Sequence, residues 1–195
     1  MKVLIVVDMQ NDFINGALGT PEAQAIVPNV CQEIVHRADP NTVILFTKDT
    51  HESNYMKTLE GKNLPVPHCI KDTDGWLIHA PVWNTFRNLD TGYADVRANY
   101  GLMPLNPGVI EKPTFGSIDL QNILYCIDDE CEGGVEEITL MGLCTGICVM
   151  SNAILAKATL PEVPVNVVAN CCACVTPESH KTALEAMKLC QINII

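Results

Sequence analysis

Ile138-Thr139-Leu140-Met141-Gly142-Leu143-Cys144-Thr145-Gly146-Ile147-Cys148-Val149 is the stretch that decides the architecture. Its first four residues are apolar or β-branched and do not alternate with polar ones, the pattern of a strand buried on both faces. Two glycines then bracket a short turn. Beyond it, Ile147 to Ala158 is rich in alanine and long aliphatic residues and reads as a helix. A buried strand running through a tight turn into a helix is half of a βαβ unit, and such units build parallel sheets.

The same alternation extends in both directions. Val3 to Val7, Thr42 to Phe46 and Val165 to Val168 read as further buried strands, Val109-Ile110 as a shorter one and Ile192 to Ile195 as a sixth. Between them, Ala23 to Arg37 carries Ile26, Val30, Ile34 and Val35 at helical spacing. Ile118 to Ile127 follows Ser117 as N-cap, and Pro177 to Cys190 opens behind Thr176 as N-cap. The expectation is an α/β chain with helices on both faces of a parallel sheet. The stretch from Asp49 to Pro107 is too long for a passive connection and should be functional or hold small elements of its own.

At 195 residues, 1–195 reads as one domain, and 48% hydrophobic residues suffice for its core. The formal net charge of −11, with the 12 lysines and arginines scattered, argues against nucleic acid and anionic membrane surfaces as partners. No apolar run approaches the roughly 20 residues of a membrane span, and no secretory signal precedes Val3, so the expected location is cytoplasmic. The ten cysteines of such a chain are expected as free thiols, mostly core packing.

Ligands of open parallel sheets bind outside the carboxyl ends of the strands. The residues following each run are Asp8, then Asp49 and His51, then Lys112, then the Cys144 to Cys148 turn. An acid, a lysine and a cysteine therefore converge on one edge. Cys148, near a helix start and beside the Lys112 ammonium, is expected to have a lowered thiol pKa and to act as a nucleophile. Asp8 can accept and return its proton, and backbone N–H groups of the Cys144 to Cys148 turn can hold an oxyanion. Asp49, His51 and His68 are candidate metal ligands. Cys171-x-x-Cys174 with Cys126-x4-Cys131 offers a rival zinc site. His36 suits a helix C-terminus, and His79 has no companion motif.

The chain resembles the isochorismatase-like cysteine hydrolases, a family that includes nicotinamidase/pyrazinamidase. The resemblance rests on Val7-Asp8-Met9-Gln10-Asn11-Asp12-Phe13, Thr47-Lys48-Asp49-Thr50-His51, Pro65-Val66-Pro67-His68-Cys69, Glu111-Lys112-Pro113-Thr114-Phe115-Gly116-Ser117, Gly142 to Val149, and Thr176-Pro177-Glu178-Ser179-His180. It implies a three-layer α/β/α fold with a six-stranded parallel sheet. It further implies an Asp8–Lys112–Cys148 triad acting on an amide through a thioester. A cis peptide at Leu143–Cys144 and an oxyanion hole from the N–H groups of Cys144 and Cys148 belong to the same implication.

The resemblance also implies a divalent metal, zinc first with manganese or iron as alternatives, on Asp49, His51, Glu60 and His68. It places Phe13 in the substrate pocket, reads His180 as structural, and implies a homo-oligomer. The expected substrate is a small carboxamide, nicotinamide first, with a carbamoyl or maleamate-like amide and a non-catalytic binding relative as alternatives. Leu64-Pro65 stands where nicotinamidases usually carry a tryptophan, which leaves Trp76, Tyr55 and Tyr100 as candidates for the missing aromatic wall, although an aromatic at such positions is more often packing than platform. Gly146 departs from the acid common at its position.

Overall fold

Six strands pair in the order β3-β2-β1-β4-β5-β6, every neighbouring pair parallel. They are β1 (Lys2–Val7), β2 (Thr42–Asp49), β3 (Val109–Lys112), β4 (Glu137–Leu143), β5 (Val165–Ala173) and β6 (Asn193–Ile194) in a computed structural model that describes residues 1–89 and 108–195. β1 lies at the centre of the sheet, and Val3 to Val7 are almost wholly buried because helices cover both of its faces. The strands are longer than their apolar cores suggested. Asp49 and Lys112 close β2 and β3 and pair with each other in register, although both are charged.

The described helices are α1 (Asn11–Ile14), α2 (Pro21–Arg37), α3 (Leu59–Asn63), α4 (Ala80–Arg87), α5 (Ile118–Glu130), α6 (Met150–Thr159) and α7 (Pro177–Leu189). α2 begins before Ala23 because Thr20 accepts from the Ala23 N–H and Pro21 occupies the first turn. Ser117 caps α5 through the Leu120 N–H, and Thr176 with Ser179 forms a reciprocal capping box on α7. Right-handed crossovers place α2 and α4 on one face and α5, α6 and α7 on the other. The contacts α2 with α4, α5 with α6 and α6 with α7 agree with that division. The Asp49–Pro107 stretch holds α3, α4 and two single 3₁₀ turns, Tyr55–Lys57 and Asp74–Trp76, within its described part. No described helix is long and apolar enough to cross a membrane.

β1 leads to β2 on one side, and β4 lies on its other side, so the chain reverses its direction of travel between β1 and β4. The carboxyl ends of that pair form the crevice where such sheets bind ligands. Their approach depends on Gly142, whose φ is +127° and whose absent side chain would stand 2.1 Å from the Val7 carbonyl oxygen. Substituting Gly142→Ala drives a methyl into backbone at a conformation L-residues avoid. The expected result is a loss of at least about 2 kcal/mol in urea-unfolding stability, or no soluble protein.

Candidate active site

The turn after β1 and the turn after β4 carry the first two functional side chains. Asp8 sits at φ +47°, a left-handed conformation uncommon for a residue other than glycine, and its side chain is fully buried. Thr47 on β2 donates to Asp8 Oδ1 at 2.7 Å. Lys112, the last residue of β3, reaches across β2 so that its Nζ lies 2.7 Å from Asp8 Oδ2 and 3.6 Å from Cys148 Sγ. The structure thus brings together Asp8, Lys112 and Cys148.

Cys148 does not sit in an ordinary first helical turn. Thr145–Val149 winds as one wide π-helical turn ahead of α6, with the Cys144 carbonyl accepting from the N–H groups of Ile147 and Val149. The Leu143–Cys144 peptide before it is cis. Asn152, fully buried, ties this turn to the β3–α5 loop: it donates to the carbonyls of Cys148 and Phe115 and accepts from the Ser117 N–H. Thr145, also buried, bonds His180 Nδ1 at 2.8 Å, which gives His180 a place in holding the turn.

The protonation pattern reverses the expectation for the thiol. Burial pushes Cys148 well above the ordinary thiol value, and the Asp8 charge adds to the rise; the Lys112 ammonium opposes both without overcoming them. Burial likewise pushes Asp8 up, against the Lys112 charge. Burial alone would lower Lys112, but the carboxylates of Asp8 and Asp49 outweigh it and hold the ammonium firmly protonated. The arrangement favours the neutral thiol form of Cys148, with Lys112 Nζ between it and Asp8.

Beside this cluster, Asp49, His51, Glu60 and His68 present ligand atoms that all lie within 4.8 Å of one another. His51 Nε2 is 3.1 Å from Asp49 Oδ2 and 3.5 Å from Glu60 Oε1; His68 Nε2 is 3.5 and 3.8 Å from the same two atoms. Metal–ligand bonds of about 2.0–2.2 Å at tetrahedral angles separate ligand atoms by roughly 3.3–3.6 Å, close to this spacing. His68 Nδ1 bonds the Val66 carbonyl at 2.8 Å, which fixes the ring with Nε2 available as a ligand. Buried atoms His51 Nε2 and Asp49 Oδ1 have only ionic neighbours, Asp49 Oδ2 at 3.1 Å and Lys112 Nζ at 3.6 Å, and make no well-formed hydrogen bond. Burial would raise Asp49, but the two imidazoles and Lys112 hold it below the usual carboxylate range. The donor set therefore fits a divalent cation. Among the described residues no cysteine cluster of this kind forms, so the rival zinc site on Cys126, Cys131, Cys171 and Cys174 is not assembled.

A cavity of about 220 Å³ joins the two clusters, with Cys144, Cys148, Asp49, Glu60 and His68 on its walls. Phe13 lines it, as expected, with its ring 5.5 Å from that of His68. The other two described aromatic candidates serve elsewhere. Trp76 lies under the Lys48 ammonium and donates to Thr50, and Tyr55 is buried behind the histidines, bonded to the Leu64 carbonyl. Tyr100 lies outside the described residues. The wall is completed instead by Leu18, Leu64, Phe115, Ile147 and Val175; Phe115 and Ile147 lie in quoted motifs and Leu64 beside the missing tryptophan's place, whereas Leu18 and Val175 carried no sequence signal. Gln10, quoted in a motif but given no role from sequence, supports Asp49: its amide bonds both the N–H and the carbonyl of Asp49 and the carbonyl of Trp76.

Residues 2–85 and 85–195 match the isochorismatase domain family. The chain belongs to the isochorismatase family. Within that family it is 27% identical over 203 residues to the nicotinamidase/pyrazinamidase of Mycobacterium tuberculosis, covering all of this chain and 98% of that protein. The solved pyrazinamidase/nicotinamidase of Streptococcus mutans is 26% identical with a TM-score of 0.78, over the whole of both chains. The pyrazinamidase of Pyrococcus horikoshii, solved in complex with zinc, is 26% identical with a TM-score of 0.73, over 100% of this chain and 98% of that one. The three-layer fold with its six-stranded parallel sheet is the one this isochorismatase-family chain adopts.

For this member of the family, the electrostatics of Cys148 give a sign that can be checked in chelator-treated protein. Burial and the Asp8 charge raise the thiol pKa, so alkylation by iodoacetamide, read at Cys148 by mass spectrometry, should reach half-maximal rate above the free-cysteine range near 8.5. Asp8→Asn removes the negative charge and leaves Lys112 beside the thiol. Its alkylation profile should move to lower pH, and an unmoved profile would refute the account.

Proposed function

We propose that this protein hydrolyses a small uncharged carboxamide, nicotinamide first, to the carboxylate and ammonia through a thioester on Cys148. The observation that carries the reading is the buried Asp8–Lys112–Cys148 cluster opening onto a cavity lined by Phe13 and the Asp49–Glu60–His68 group. The nicotinamidase/pyrazinamidase relatives support the choice of first substrate. The described walls of the cavity carry no lysine or arginine, which favours a neutral amide over a maleamate-like one whose carboxylate would need a cation.

In the proposed reaction the Cys148 thiol gives its proton to Asp8 as the sulfur attacks the carboxamide carbon. The backbone N–H groups of Cys144 and Cys148 hold the resulting oxyanion. Asp8 returns the proton to the departing nitrogen, the C–N bond breaks and ammonia leaves a thioester. Water then attacks with Asp8 as base, the C–S bond breaks as Asp8 returns that proton to sulfur, and the carboxylic acid departs and ionises, its proton taken up by the released ammonia. Lys112 keeps Asp8 in place and balances its charge throughout.

The Asp49–His51–Glu60–His68 set would hold a divalent cation, with zinc the first choice from its two imidazoles and two carboxylates. When bound, that cation supplies a Lewis-acid partner for a ring nitrogen or an oxygen of the substrate. Gln10 keeps Asp49 facing the set by fixing its peptide on both sides.

Purified protein should release ammonia from nicotinamide, and Cys148→Ala should lower kcat/KM by about a thousandfold or more. Absence of release from zinc-loaded wild type would overturn the nicotinamide assignment. Equilibrium dialysis against zinc should give one ion per chain in wild type and markedly weaker binding in His51→Ala and Asp49→Asn. Equal zinc content in all three would remove the metal site from these residues.

A further inference from the structure

A second hollow of about 460 Å³ opens beside the catalytic cavity, between the Thr145–Val149 turn and α7, and the proposed chemistry does not use it. Three residues, Ile147, Cys174 and Val175, line both spaces. Ile147 and Val175 are 36% and 62% exposed, so apolar surface bridges the two openings. Small residues keep the hollow open. A side chain added at Gly146 would start 3.2 Å from Ala183 Cβ and 3.5 Å from Cys174 Sγ, and Ala186 continues the α7 wall beyond Ala183. Met150 adds apolar surface, Thr182 is among the few polar residues of the lining, and no charged side chain contributes to it.

We propose that this groove is an extension of the substrate site, taking the apolar alkyl or aryl tail of a primary carboxamide whose amide lies at Cys148. The assignment rests on the amidase reading above and deepens it: the preferred substrates are uncharged carboxamides larger than a single ring. The occupant follows from continuity. A substituent leaving the 220 Å³ cavity past Ile147 and Val175 meets residues that both spaces share and then a mostly apolar wall, whereas a charged group would enter a wall with no charged partner for it. A glycine and two alanines facing the space fit a slender hydrocarbon.

The test is a series of pyridine-3-carboxamides carrying a straight alkyl chain on the ring, methyl to hexyl. In wild type, kcat/KM should climb with chain length, by up to about fourfold per buried methylene. Thr182→Leu and Ala186→Leu, which fill the groove from α7, should flatten that climb while leaving unsubstituted nicotinamide unchanged. Circular dichroism would check that both variants fold. A second series reads the groove without turnover: the rate at which N-alkyl iodoacetamides modify Cys148, followed by mass spectrometry. If the carboxamides are not hydrolysed but alkylation still accelerates with chain length, and the variants abolish the acceleration, the groove stands and the substrate assignment falls. Rates independent of chain length in both series, or a dependence that both variants leave intact, overturn the groove. A change of oligomeric state in the variants by sedimentation, with no chain-length effect, would give the surface to a second copy and equally overturn it.

Discussion

The ion pair between Lys112 and Asp8, 2.7 Å apart and both essentially without solvent contact, constrains everything built around it. Taking two charges out of water is costly, and breaking such a pair by deleting one partner costs about 3–5 kcal/mol because the other is left uncompensated. The pair therefore fixes where the ends of β1 and β3 must lie relative to β2 between them. Thr47 on β2 adds the second bond to Asp8, so three adjacent strands share one polar knot at their carboxyl ends. The fourth participant, the turn after β4, approaches because Gly142 lets backbone pass beside the Val7 carbonyl.

Charge balance then links the knot to the neighbouring donor set. Lys112 lies 3.6 Å from Asp49 Oδ1 as well as beside Asp8, one ammonium shared by two carboxylates. Glu60 adds a third carboxylate nearby, and its carboxyl is pushed up by burial and by the Asp49 charge. A cluster with more acid than base in a desolvated place is short of positive charge. Two partly unsatisfied ligand atoms and two histidines at coordination spacing answer that shortage best with a divalent cation. The same shortage explains the thiol. Burial and the neighbouring Asp8 both push the Cys148 thiol up, so the thiol form is favoured there.

Much of this was legible in the sequence because the relevant residues follow buried runs directly. Asp8, Asp49, Lys112 and the Cys144–Cys148 turn each mark a strand's carboxyl end, and a parallel sheet collects such ends on one edge. His51 stands two residues from Asp49 and is drawn in with it. Glu60 came from motif resemblance alone, and neither its distance along the chain from Asp49 nor that of His68 carries geometric information until the 51–68 segment folds back. That folding runs through the Cys69 carbonyl accepting from the His51 N–H and the Asp12 carboxylate accepting from the Cys69 N–H, both tertiary contacts. Trp76 and Tyr55 were misassigned for the same reason. An aromatic residue near a site in sequence can pack outward from it, and neither of these lines the cavity, their polar atoms being spent on Thr50 and Leu64.

The reversed thiol expectation has a different origin. A lysine and a helix start both favour a thiolate, and sequence displays both; burial favours the thiol, and sequence does not display burial. At this site burial is the largest influence on Cys148, and the carboxylate expected to serve as base opposes the lysine as well. A strong local cation therefore does not by itself make an activated cysteine. Burial is the larger influence on the Asp8 carboxyl and pushes it up, and Lys112 opposes that rise. An ionised, desolvated carboxylate is a stronger proton acceptor than one in water, so the energy invested in burying the ion pair reappears as basicity at the atom beside the thiol. One lysine thus acts on both groups, opposing at Asp8 and at Cys148 the burial that raises each.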